Sequence, residues 1–143
     1  MEKLKTIDMK EKLIFVILSI LFLSLTSCHS DKLDGDWEDN IHLSEKEVTI
    51  SAESNAFLIT TEGTSWWIHG IGLDDDWNYD ISGIDTTQDD FLIEENVFTI
   101  ERKNANEIHI SLTENQSNVE RTLTIGLQAG NYFDQIKIIQ AEK

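Results

Sequence analysis

The chain has no proline, a single cysteine and few basic residues. One cysteine cannot make an internal disulfide, so the fold must stand on its apolar core, which a domain of about 100 residues can do. Without proline, exposed sheet edges have to be blunted by charge instead. Eleven Lys and Arg against 27 Asp and Glu leave a formal charge of −16. Such a surface repels phosphate backbones and anionic lipid, which excludes nucleic-acid binding and any electrostatic hold on a membrane. Its plain consequence is solubility. Chemistry-bearing patterns are missing too. His29, His42, His69 and His109 form no metal spacing, and there is no zinc pattern, nucleophile motif or phosphate-cradling glycine loop. Paired carboxylates could serve glycoside hydrolysis, but so acidic a chain makes such pairs by chance. An enzyme is not expected, nor a catalytic residue, a cofactor or a metal.

What the chain does have is one apolar run, residues 13–25, with Lys10 and Lys12 ahead of it. A basic head, a short apolar core and small residues at its end make a secretory signal. The core is shorter than the roughly 20 residues a bilayer span needs. Met9-Lys10-Glu11-Lys12 makes a more ordinary head than residues 1–8 and is an alternative start to Met1. The run closes in Leu25-Thr26-Ser27-Cys28, which resembles the lipobox of bacterial lipoproteins. That resemblance implies cleavage before Cys28, a diacylglycerol on its sulfur and often an acyl group on its new amine. Two or more acyl chains anchor stably where one binds only reversibly. The expected organisation is a signal peptide over residues 1–27, a lipidated acidic tether over 28–46 and one domain over 47–143. Acidic residues soon after the cysteine loosely resemble the surface-export signal of Bacteroidota lipoproteins. The expected location is the outer membrane, at the cell surface or on the periplasmic face, with the bilayer a partner through acylated Cys28.

From residue 47 the pattern is that of strands. Apolar and β-branched segments at 48–51, 57–61, 66–71, 79–81, 91–93, 97–100, 108–112, 121–127 and 135–140 recur with turn residues between them. Spacings of about 8–12 residues and no helical stripe indicate an all-β, antiparallel sandwich or barrel. Leu123, Ile125 and Leu127 alternate with Thr122 and Thr124, and Ile136 and Ile138 continue the apolar face after a turn at 128–131. Shared-face alternation puts Trp66, Ile68, Ile110, Leu112, Leu123, Ile125, Ile136 and Ile138 in the core.

Asn115, then Arg121-Thr122-Leu123-Thr124-Ile125, then Ile136-Lys137-Ile138-Ile139-Gln140 resembles the C-terminal half of a BACON domain. Trp66-Trp67-Ile68 is similar to that family's Trp-x-hydrophobic strand, and Trp77 to its second tryptophan. The resemblance covers about residues 47–140 and is poor between 73 and 106. It implies an immunoglobulin-like β-sandwich of Bacteroidota, often attached to glycan-degrading enzymes. The family was proposed to bind carbohydrate or mucin, while some members look like spacers.

Adjacent strand residues point to opposite faces, so an inward Trp66 sends Trp67 and His69 outward. Asp74-Asp75-Asp76-Trp77-Asn78-Tyr79-Asp80 opens like a calcium loop, but the turn glycine is Tyr79 and the closing Glu is Asp85. The residues expected to meet a ligand are Trp67, Trp77, Asp76, Asn78 and Tyr79: indole faces for the apolar side of a sugar ring, polar groups for its hydroxyls. The rival reading for each tryptophan is ordinary packing. Two functions follow. One is a non-catalytic binding module for glycan; the other is a structural spacer or an assembly or adhesion subunit that binds another envelope protein.

Overall fold

The computed structural model describes residues 37–143, so the signal run, Cys28 and the first part of the tether lie outside the described residues. Eight strands follow one another: β1 (Glu47–Ile50), β2 (Asn55–Thr60), β3 (Trp67–Leu73), β4 (Phe91–Glu94), β5 (Phe98–Lys103), β6 (Glu107–Leu112), β7 (Arg121–Ala129) and β8 (Tyr132–Gln140). They form two four-stranded sheets, in the orders β1-β8-β7-β3 and β2-β6-β5-β4. β1 pairs parallel with β8, and the other pairings are antiparallel. This is the expected all-β, immunoglobulin-like sandwich.

Isoleucine builds the space between the sheets. Ile125 opposes Ile136 and Leu123 opposes Ile138 in the β7–β8 register. From the other sheet, Phe98, Ile100, Ile108, Ile110 and Leu112 join them in one cluster. β-branched chains suit a pleated, buried surface, and their alternation with Thr and Gln leaves the opposite faces polar. All eight residues expected in the core are buried.

One charged side chain is buried with them. Arg102, 1% exposed, continues the inward series of Phe98 and Ile100. Its guanidinium lies 3.8 Å from the centre of the Trp66 ring. It donates to the carbonyls of Trp66 (2.9 Å), Gln88 (3.0 Å), Thr64 (2.6 Å) and Ala105 (2.7 and 3.0 Å). Burial pulls its pKa down, and nearby Asp89 and Asp90 oppose that. Five donors in a rigid fork satisfy four loop carbonyls that would otherwise be orphaned. At the other pole Asn115 and Gln140 do similar work. Asn115 bonds the carbonyls of Val119 and Ala141. Gln140 bonds those of Ala52, Glu53 and Thr113 and accepts from Arg121.

The structure departs from the sequence expectation in three places. Residues 79–81 are not a strand but part of the long connection from β3 to β4. Asp76, Asp80 and Asp85 each accept the amide two residues on, from Asn78, Ser82 and Thr87, and these local turns replace any ladder. The tether does not run to residue 46, because the chain docks earlier. Asp39 accepts the amides of Ile41 and His42, Ile41 is fully buried, and Leu43 bridges Thr61. Finally, the turn expected at 128–131 narrows to Gly130 and Asn131, so that β7 runs on to Ala129 and β8 begins at Tyr132. At the β3 edge the Thr86 hydroxyl caps the Ile68 carbonyl at 2.9 Å, and the charged Arg102 caps that of Trp66.

Candidate functional site

The outer face of the β1-β8-β7-β3 sheet carries an aromatic patch whose making is local. β3 bulges between Ile68, which opposes Leu127, and Gly70, which opposes Gly126. The extra residue, His69, therefore shares the outer face with Gly70. At the end of β3 the chain reverses tightly. Leu73 and Asp76 exchange backbone hydrogen bonds of 2.9 and 3.0 Å, with positive φ at Asp74 (49°) and Asp75 (69°). That is the geometry of a two-residue hairpin turn. Asp74 locks it by accepting the Thr122 amide at 2.7 Å. The turn folds Trp77 back over its own strand.

Trp77 lies across Gly70 and Gly72. A Cβ at Gly72 would stand 2.8 Å from Trp77 Cε2, and one at Gly70 would be 3.7 Å from Cε3. His69 covers Gly126 in the same way, with its Nε2 2.5 Å from where a Cβ would be. Glycine in a strand interior marks close approach by another group, and here the group is an aromatic ring in both cases. Phe133, from β8, meets His69 edge-on, with ring centroids 5.5 Å apart and an interplanar angle of 84°. Trp77 remains 51% exposed and Phe133 58%. The recess of about 330 Å³ between these rings is completed by Asp134 and Gln135.

Of the residues singled out in the sequence, Trp67 and Trp77 share this sheet face. Trp67 is half-buried and in register with Gln128, which in turn opposes Phe133. Asp76 and Asn78 lie beside Trp77 but bond each other: Asp76 Oδ1 accepts the Asn78 amide (3.1 Å) and its side-chain nitrogen (2.6 Å). Tyr79 turns away. Its ring packs edge-on against Phe98 at 5.2 Å, and burial, then Glu95, Asp76 and Asp74, push its hydroxyl pKa up. His69, Phe133 and the three glycines were not anticipated as parts of a site. Gly70-x-Gly72 in a strand pattern was the signal that could have pointed to them.

The electrostatics are one-sided. Asp134 Oδ2 receives Lys46 Nζ at 2.7 Å and the Tyr132 hydroxyl at 3.1 Å. The hydrogen bond that Lys46 donates to Asp134 raises the Lys46 pKa above its ordinary value, against its partial burial. Lys137, farther along β8, points to Glu47 at 3.8 Å. Among the described residues no group of His, Asp or Glu is arranged to hold a metal ion. What the recess offers a ligand is ring faces and the Gln135 amide, since the Asp134 carboxylate is only 9% exposed and is held by Lys46 and Tyr132.

Neither a protein-family model nor a curated protein matches the chain. Among solved structures it is similar to the NMR structure of a protein from Bacteroides thetaiotaomicron, with 21% identity over 82% of this chain and 98% of that one, at a TM-score of 0.60. More remotely it is similar to the CsuC–CsuE chaperone–tip adhesion subunit pre-assembly complex of archaic Csu pili from Acinetobacter baumannii. There identity is 11% over 72% of this chain and 57% of that one, at a TM-score of 0.38. The first likeness supports the β-sandwich and fits a Bacteroidota origin; the second is too distant to add to it.

Proposed function

We propose that this chain is a BACON-like, lipid-anchored and non-catalytic binding module of the outer membrane that holds glycans on the patch around Trp77 and Trp67. The observation that carries the reading is the Trp77 indole, laid over Gly70 and Gly72 with half its surface open. A ring backed by strand backbone cannot collapse further, so it meets a ligand without first being ordered, and binding then costs less entropy. Sugar rings present an apolar C–H face that suits such a surface. The sequence from Leu25 to Cys28 supplies the anchor in this reading.

The test titrates polysaccharides and mucin glycans against tryptophan fluorescence. Trp77→Ala should weaken binding at least about tenfold, as loss of an aromatic anchor does, and Trp67→Ala by less. Cys28→Ala should release the protein from membranes. Full affinity in both tryptophan variants would move the site elsewhere. A second reading, a spacer or assembly subunit bound to another envelope protein, draws support from Leu58 and Leu92, exposed on the opposite sheet. It takes over if no glycan binds.

A further inference from the structure

The recess has a floor and a wall. Trp77 and His69 lie on glycines and form the floor, while Phe133 stands nearly perpendicular to His69 and forms the wall. The floor crosses from β3 over β7 towards β8, two strand spacings or about 10 Å. That is room for a sugar ring stacked on the floor with its edge against Phe133. Gln135 can reach hydroxyls at the rim.

The surrounding charge limits what that sugar can be. A carboxylate, sulfate or sialyl group needs an Arg or Lys partner when it is held against a protein. None lines the recess. The nearby cations already have carboxylates: Lys46 has Asp134 at 2.7 Å and Asp39 at 3.4 Å, and Lys137 has Glu47. The Lys46–Asp134–Asp39 group lies at one end with one carboxylate in excess, and the Asp74–Asp75–Asp76 turn carries Trp77 at the other. The chain as a whole has a formal charge of −16. An anionic ligand would approach like charge with no compensating bond on arrival.

We propose that the recess takes an uncharged pyranose, laid on Trp77 and His69 and stopped by Phe133, and turns away sialylated, sulfated or uronate-type glycans. This rests on the glycan reading above. The experiment titrates the protein with matched pairs that share a backbone: hydroxyethylcellulose against carboxymethylcellulose, dextran against dextran sulfate, and desialylated against native mucin. Within any pair that binds, the anionic member should be weaker by at least about tenfold at low salt, and the gap should narrow as salt screens the repulsion. Phe133→Ala and Gly72→Ala should both weaken the neutral member while thermal unfolding stays cooperative, since Phe133 is exposed and Gly72 is buried only by the Trp77 ring on the outer face, apart from the core between the sheets. Equal or tighter binding of the anionic member would overturn the charge selection and leave the glycan reading standing. Full neutral affinity in Phe133→Ala and Gly72→Ala would overturn the placement. If no member of any pair binds, both readings fall together.

Discussion

The two outer faces of the sandwich differ in what stands on the strands. On the β2-β6-β5-β4 sheet one register row runs Leu58, His109, Glu101, Leu92. Lys103 pairs with Glu101 at 2.7 Å, His109 with Glu107 at 2.9 Å, and Thr99 bonds Ser111 across the strands. The first two run along a single strand between neighbours on one face, and the third crosses from β5 to β6; such pairs are the usual dressing of an exposed sheet face. On the β1-β8-β7-β3 sheet the corresponding interior positions include Gly70, Gly72 and Gly126, and rings from elsewhere lie over them. A strand glycine costs roughly 0.5–1 kcal/mol relative to alanine. Stability alone gives no reason to place three of them in one patch. The shallow hollow on the opposite sheet, about 490 Å³ between Leu58 and Leu92, is larger than the aromatic recess. It is floored by ordinary small side chains, Ala56, Thr99 and Ser111, and has no ring laid on backbone. Size therefore says less about a site than what has been removed to make it.

The largest effect should come from the one residue that serves both faces. Arg102 belongs to β5 of one sheet and holds the carbonyl of Trp66 at the threshold of β3 in the other. Arg102→Ala orphans four carbonyls and empties the space under Trp66. It should cost about 3 kcal/mol or more, with melting temperature and glycan binding lost together. Arg102→Lys keeps the charge without the fork and should recover only part of the loss. A melting temperature unchanged in Arg102→Ala would show that water replaces the guanidinium adequately.

Much of this fold could be read from the residues, and the reasons where it could not are physical. Strands β6, β7 and β8 announce themselves by alternation, because Ile108, Ile110, Leu112, Leu123, Ile125, Ile136 and Ile138 are buried on one side only. Arg102 was missed because Glu101-Arg102-Lys103 reads as a solvated run, although the spacing from Phe98 and Ile100 points it inward. Phe133 lies before the segment that reads as a strand, since Tyr132-Phe133-Asp134 breaks the alternation. Only the tight hairpin at Gly130, with φ of +62°, extends β8 back to Tyr132. The outward turn of Trp67 and His69 follows from strand period. The bulge that puts Gly70 and Gly72 on the same face does not, and neither does the Asp74–Asp75 turn that brings Trp77 back over Gly72. Asp76 and Asn78 read as free hydrogen-bonding groups, but short polar side chains in a turn bond their own loop first.

A middle-sized test asks whether the opposite face is as plain as its pairs suggest. Leu58 is 49% exposed and Leu92 50%. Replacing both with glutamine removes the apolar rim of the hollow without adding charge. Stability should change by no more than about 0.5 kcal/mol per site, the usual range for surface substitutions, and glycan affinity should stay as in wild type. Loss of glycan binding in this double variant, with Trp77→Ala unaffected, would reverse the assignment of the two faces.

The smallest expected effect separates the two outward histidines. His69 is packed on Gly126 and against Phe133, whereas His109 holds a carboxylate. The hydrogen bond from His109, followed by that from Asn104 at 3.2 Å, keeps the Glu107 carboxyl below its ordinary value of 4.5. A carboxyl whose pKa is lower in the folded state contributes stability above its unfolded pKa, and that contribution fades as pH falls through the folded value. The window is therefore below pH 4.5, and screening at this exposed site keeps the effect small. In His109→Ala, carboxyl NMR should show Glu107 titrating closer to its ordinary value, with the remaining depression due to Asn104. In His69→Ala the Glu107 titration should not move, while the emission of Trp77, whose ring borders the same recess, should. If the Glu107 titration is unchanged in His109→Ala, the pair does not form in solution and the opposite face keeps only its other pairs, Lys103–Glu101 and Thr99–Ser111. If tryptophan emission is unchanged in His69→Ala, the floor of the recess is not the continuous surface drawn here.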